Sequence, residues 1–174
     1  MSRLAPLPGD EWSDETRAAL RSLLPEERRN PDDAGDLLSR LLRHPGLTHA
    51  YLTFNAHVLR HSTLSDRVRE VAVLRAVHHR GCAYLWHHHI PIAHRAGLTD
   101  SEIESLRAGS PADPTDRLVV RAVDELRERD TLTDAIWQAL SEAFDERQRM
   151  DLVFTIGCYD LLAAAVNAFG IEPD

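Results

Sequence analysis

Glu70, Cys82 and His89 are the residues of this 174-residue chain whose types and spacing allow chemistry. A carboxylate that meets an imidazole makes a base, a proton relay or half of a metal site near neutral pH. Arg80-Gly81 is a turn signal between Glu70 and His89. Folding the chain back there as a helical hairpin puts Glu70 about ten residues before the turn and His89 about nine after it, so the two meet. On the second helix Cys82, Leu85 and His89 fall at i, i+3 and i+7 and share one face, with Trp86 at its border. Cys82 stands at the first turn, where the helix dipole and free N–H groups favour a thiolate. The face reads as a pocket wall, with a thiol at one end and a Glu–His pair two turns along.

Plainer roles stand beside these. Glu70 fits a structural ion pair with Arg67 or Arg69, His89 a satisfied buried histidine, and Cys82 inert packing. Tyr84, Leu85 and Trp86 suit a substrate-facing wall or core. In His87-His88-His89 successive side chains point about 100° apart, so the three do not chelate one ion. His57 and His61 are better spaced, at i and i+4, and could join Glu70 or His89 around a metal. No third-ligand spacing is visible, so neither a metal nor a cofactor is expected; His57 is kept as a substrate-binding candidate. Arg75 or Arg80 could clamp a substrate carboxylate in two-point fashion. All 20 basic residues are Arg, so lysine Schiff-base chemistry is excluded.

Punctuation and periodicity make the elements that hold these residues helical from end to end. After an N-terminal arm with Pro6, Pro8 and Gly9, Ser13 caps a helix to about Leu24, and 26–33 reads as a loop. Helices follow over 35–44, 47–61 and 66–79, the last with apolar positions Val68, Val71, Leu74 and Val77. Residues 82–96 form the chemistry-bearing helix. Thr99 and Glu102 make a capping box for 100–108. Helices over 115–129 and 133–144 precede a long apolar one from Asp145, with Gln148 completing a capping box, to Phe169. The segment from Ser65 to Arg69 resembles that from Asp145 to Arg149. The echo reads either as two related helical units or as the common acidic start of helices.

Apolar residues at 43% and charged residues at 28% describe an ordinary globular chain. A net charge of −8 without a basic stripe argues against nucleic-acid binding. Apolar runs such as 161–166 are short of a bilayer, and the first residues carry no secretory pattern. The two cysteines fit reduced thiols in a cytoplasm. A soluble, cytoplasmic protein with a small-molecule substrate is the expectation.

Glu70, eleven residues, Cys82-Ala83-Tyr84-Leu85, three residues and His89 resemble the alkylhydroperoxidase D pattern E-x11-C-x-x-C-x-x-x-H. The surrounding text, Leu64 to Glu70, Tyr84 to His89 and Ala96 to Ile103, is similar to the carboxymuconolactone decarboxylase family. The likeness extends from about Trp12 to Pro173, taking in Phe54-Asn55-Ala56-His57 and Asn167-Ala168-Phe169-Gly170. It implies an all-α, alkylhydroperoxidase D-like helical bundle, a single domain over 1–174 with residues 1–12 as an arm, and a homo-oligomer; the trimer is the favoured number. In the peroxidase branch the second cysteine attacks peroxide, the Glu and His deprotonate it, and the first cysteine closes the disulfide. Leu85 stands at that second position. Cys82 lies two turns, about 10 Å, from His89, beyond a direct hydrogen bond. The two-cysteine cycle is therefore disfavoured. The decarboxylase branch implies cofactor-independent acid–base chemistry on a small organic acid or lactone, with Glu70 and His89 as the working pair. The alternatives are a one-thiol peroxidase through Cys82 and a non-catalytic oligomeric binding module.

Overall fold

The computed structural model describes residues 2–173. Among them are nine α-helices, two single 3-10 turns and no strand. They divide into two compact units: the chain up to His61 with Ala168–Ile171, and Ser62–Asn167 with the C-terminal end from Glu172.

The first unit holds α1 (Asp14–Ala19), α2 (Pro31–Leu41) and α3 (Pro45–Arg60). The Ser13 and Asn30 side chains accept the first free N–H groups of α1 and α2, and Pro31 and Pro45 each occupy a first turn, where a missing N–H costs nothing. Both α1 and α2 pack on α3 around Trp12, Leu20, Leu42 and Leu52. Two boundaries differ from the sequence reading. The helix after Ser13 loosens at Leu20 into turns that carry the chain to Leu24. The segment read as a loop contains a 3-10 turn at Glu26–Arg28 and the start of α2. Gly35, at φ 70°, breaks the regular helix just after that start, which hides it from periodicity.

The second unit holds α4 (Asp66–His79), α5 (Ala83–Arg95), α6 (Asp100–Ala108), α7 (Pro114–Arg129), α8 (Asp134–Ala143) and α9 (Glu146–Phe169), the last of which ends in the first unit. Here α4 is the axis. It packs against α5, α6 and α7, and residues 68–77 are buried without interruption. The sequence suggested one apolar stripe; the helix is instead enclosed all round. Val68, Val71, Ala72, Val73, Leu74, Ala76 and Val77 make that possible, and the polar residues among them are paired. Arg75 makes a two-point ion pair with Asp124 of α7, at 2.6 and 3.0 Å, and donates to the carbonyls of Leu106 and Arg107. Arg67 reaches Asp116 at 2.6 Å and Glu102 at 2.7 Å, tying α4 to α7 and α6.

Beside α4, α9 runs parallel: Asp151 accepts from the Thr63 N–H, Asp160 pairs with Arg80 at 2.7 Å, and Asn167 donates to the Arg80 carbonyl. Asp145 and Gln148 form the reciprocal cap that the sequence suggests. At 24 residues, with a mean hydropathy of 1.7 in its most apolar stretch, α9 is long and apolar enough to cross a membrane by length and composition. Counting unbroken apolar runs missed this. Leu152, Ile156, Tyr159, Leu162, Ala163 and Val166 form a buried stripe, as in a core helix.

Candidate functional site

The turn predicted at Arg80-Gly81 exists. Arg80 closes α4, Gly81 takes φ 58°, a left-handed value that glycine adopts without a Cβ penalty, and Cys82 caps α5. The hairpin brings Glu70 and His89 together. His89 Nδ1 lies 2.7 Å from Glu70 Oε2, with Glu70 fully buried and His89 only 3% exposed. The other carboxylate oxygen, Oε1, accepts from Arg69 Nε at 3.2 Å, and Arg69 also pairs with Asp66 at 2.8 Å. Burying a lone carboxylate costs several kcal/mol, so the Arg69 and His89 donors are what allow it. The Tyr159 ring of α9 stands edge-on to the His89 ring, with centroids 4.9 Å apart. Committing Nδ1 to Glu70 fixes the ring's orientation and makes Nε2 the nitrogen for proton exchange.

The remaining sequence candidates distribute unevenly. Leu85 is buried on the same helix, one turn before His89, where it packs and offers no chemistry. Tyr84 stacks on His88, with centroids 6.3 Å apart and planes 4° from parallel. Cys82 is buried, and burial pushes its thiol above the ordinary range, offset only in part by the Leu85 backbone N–H. The helix-dipole expectation of a thiolate fails for that reason: desolvation of the charged form outweighs the dipole. Cys158 is free and buried in α9. Trp86 is buried at the turn end of the hairpin, with the Arg107 guanidinium 4.6 Å from its ring centroid and His78 edge-on at 5.8 Å.

His57 sits on α3 in the first unit, exposed, with its ring 6.5 Å from that of His61. Among the described residues no group of three or more His, Cys, Asp or Glu is placed to hold a metal ion. The suggested carboxylate clamps are both occupied. Arg75 is spent on Asp124 and two carbonyls, and Arg80 on Asp160. Arg69, named in the sequence reading only as a structural partner, is that partner. Tyr159 and Arg107 were not found from sequence. Each comes from a helix outside the hairpin, and neither has a spacing signal.

Comparison with known proteins follows the same lines. No curated protein matches the chain. An uncharacterized peroxidase-related protein from Ralstonia eutropha JMP134, with an alkylhydroperoxidase AhpD core, superposes with a TM-score of 0.81 at 18% identity, covering 99% of this chain and 92% of that one. An uncharacterized peroxidase-related protein from Silicibacter sp. TM1040 gives 0.79 at 17% identity, over 100% and 93%. A protein of unknown function from Agrobacterium tumefaciens gives 0.68 at 20% identity, over 76% and 93%. These likenesses show the fold: an all-α, AhpD-like helical bundle. Residues 45–128 match the carboxymuconolactone decarboxylase family, a stretch that runs from the first turn of α3 to the end of α7 and holds Glu70, Cys82 and His89. Through that segment, just under half of its length, this chain is similar to the carboxymuconolactone decarboxylase family.

Proposed function

We propose that the chain is an enzyme of lyase type, acting without a cofactor on a small organic acid or lactone, with Glu70 and His89 as its acid–base pair. The observation that carries this reading is the buried 2.7 Å contact between His89 Nδ1 and Glu70 Oε2. With Nδ1–H donating to the carboxylate, the Nε2 lone pair accepts a proton from substrate carbon or oxygen. The imidazolium so formed is stabilised by the carboxylate on its other side, and it returns the proton at the position that carbon dioxide vacates. Positioned proton transfer of this kind contributes roughly 10²–10⁴-fold in rate. The match of residues 45–128 to the carboxymuconolactone decarboxylase family supports the same class of chemistry.

The test is carbon dioxide release from a panel of small carboxylated lactones by wild type, Glu70→Gln and His89→Asn, with chelator present throughout. Activity lost by about 10²-fold or more in both variants is the expected outcome. Full activity in both variants overturns the reading.

A second reading follows from the peroxidase-related neighbours and from the cavity beside Cys82. A thiolate would attack the distal peroxide oxygen, releasing an alcohol and leaving a sulfenic acid, which an external thiol reduces. The raised thiol and Leu85 weigh against it. Peroxide consumption that persists in Cys82→Ser removes it. For assembly we propose a homo-oligomer with α9 at its contact. Met150, Phe154 and Leu161 stand 62%, 56% and 61% exposed along one stripe of that helix, an arrangement that favours a second copy of the same chain.

A further inference from the structure

At the closed end of the hairpin lies a cavity of about 200 Å3, bounded by Val77, His78, Cys82, Trp86, His87 and Arg107. All of these belong to the second unit. Cys82 is two turns of α5, about 10 Å, from His89, and neither Glu70 nor His89 is among the lining residues.

Its chemistry is specific. Trp86, 5% exposed, contributes part of the apolar lining, and Arg107 holds its guanidinium over that ring at 4.6 Å. The Arg107 backbone carbonyl is anchored by Arg75 at 2.9 Å, so the end of α6 that carries the guanidinium is fixed to the core. The acid nearest Arg107 is Glu104, at a loose 3.7 Å on the exposed side. His87 Nδ1 lies 2.7 Å from the Ala83 carbonyl, an arrangement that uses Nδ1–H as donor and leaves Nε2 for a ligand. His78 is held in its neutral form first by burial, then by the positive charges of Arg75, His79 and Arg107, with Glu104 opposing. Arg75 and His79 lie behind it, shared on Asp124. Cys82 is neutral as well, because burial raises its thiol. The cavity is therefore lined by Val77, His78, Cys82, His87 and part of Trp86, with the positive charge of Arg107 at its rim. That sign is opposite to the net charge of −8 on the whole chain.

We infer that this cavity binds a small organic monoanion with an apolar body, its charge on Arg107 and its body beside Trp86 and Val77. Drug-sized ligands fill roughly 300–1,000 Å3. A cavity of about 200 Å3 suits a single ring with one carboxylate. Guanidinium meets carboxylate by two parallel hydrogen bonds, and the indole and Val77 supply apolar contact. The inference does not rest on the proposed reaction at Glu70 and His89.

Benzoate is the probe, titrated into the full chain and followed by the indole N–H signals of Trp12, Trp86 and Trp137 in two-dimensional NMR, with Trp86→Phe giving the assignment. The Trp86 signal moves and saturates, while those of Trp12 and Trp137 stay. Benzyl alcohol, the uncharged analogue, binds at least tenfold more weakly. Arg107→Gln, a change at a half-exposed side chain that leaves the core intact, weakens benzoate at least tenfold. The His89 ring signals do not shift during the titration. An unmoved Trp86 signal, equal binding of benzyl alcohol, or undiminished binding by Arg107→Gln overturns the inference. Movement of His89 in place of Trp86 also overturns it, by putting the anion at the acid–base pair.

Discussion

Leu85 is the residue at which this chain departs from the C-x-x-C of the alkylhydroperoxidase D pattern. It is buried one turn before His89, so the position faces the imidazole and holds a side chain with nothing to ionise. Leu85→Cys puts a thiol within reach of Nε2 and three residues from Cys82. We expect this variant to consume an alkyl hydroperoxide in the presence of an external dithiol. We also expect an intramolecular disulfide between Cys82 and the introduced thiol, seen by mass as the loss of two hydrogens. The smaller side chain costs about 1–3 kcal/mol of stability, within the range for core truncation. A folded variant with no peroxide consumption contradicts the placement of position 85 against His89. At the same scale, the Glu70–His89 contact was legible because both partners lie on one hairpin around one glycine turn, and helical geometry converts their spacing into proximity. The Tyr159 edge against His89 was not, because it depends on how α9 packs beside α4, which no local pattern encodes.

Among the elements, the burial of α4 on every side is the organising fact. Arg69, Glu70 and Arg75 made it look half solvated in sequence; each is paired, and the helix is a core helix. Glu102 shows how such pairing links elements. It accepts from the Thr99 N–H at the cap of α6, its largest stabilising contact, and then from Arg67 of α4, and together these bring its carboxyl down to about 2. A carboxylate depressed in the folded state contributes stability that is fully present above its unfolded value near 4.5 and lost as pH falls toward 2. Its side chain is 38% exposed, so screening keeps the contribution below about 1 kcal/mol. Urea midpoints at pH 6 and pH 3 test this: wild type loses more stability across the interval than Glu102→Gln. Parallel losses in the two proteins would show that Glu102 does not couple the helices. Boundaries were readable wherever a cap residue stood before a periodic run, as at Ser65, Thr99 and Thr133, and were lost at Gly35, where a left-handed residue interrupts α2.

For the whole molecule, the exposed face of α9 sets the expectation. Met150, Phe154 and Leu161 with Gly157 between them form an apolar stripe that a water-exposed helix does not normally keep. Light scattering should return a multiple of the 19.6 kDa chain mass, and the double variant Phe154→Asp, Leu161→Asp should return the single-chain mass while keeping its helical circular dichroism. A wild-type monomer contradicts assembly through α9. The wider account depends on one hydrogen bond, and proton-detected ¹⁵N NMR of the His89 ring examines it directly. We predict an Nδ1–H tautomer with a strongly downfield ring proton in wild type, lost in Glu70→Gln. A ring protonated on Nε2, or one with the same signal when Glu70 is replaced, would contradict the account.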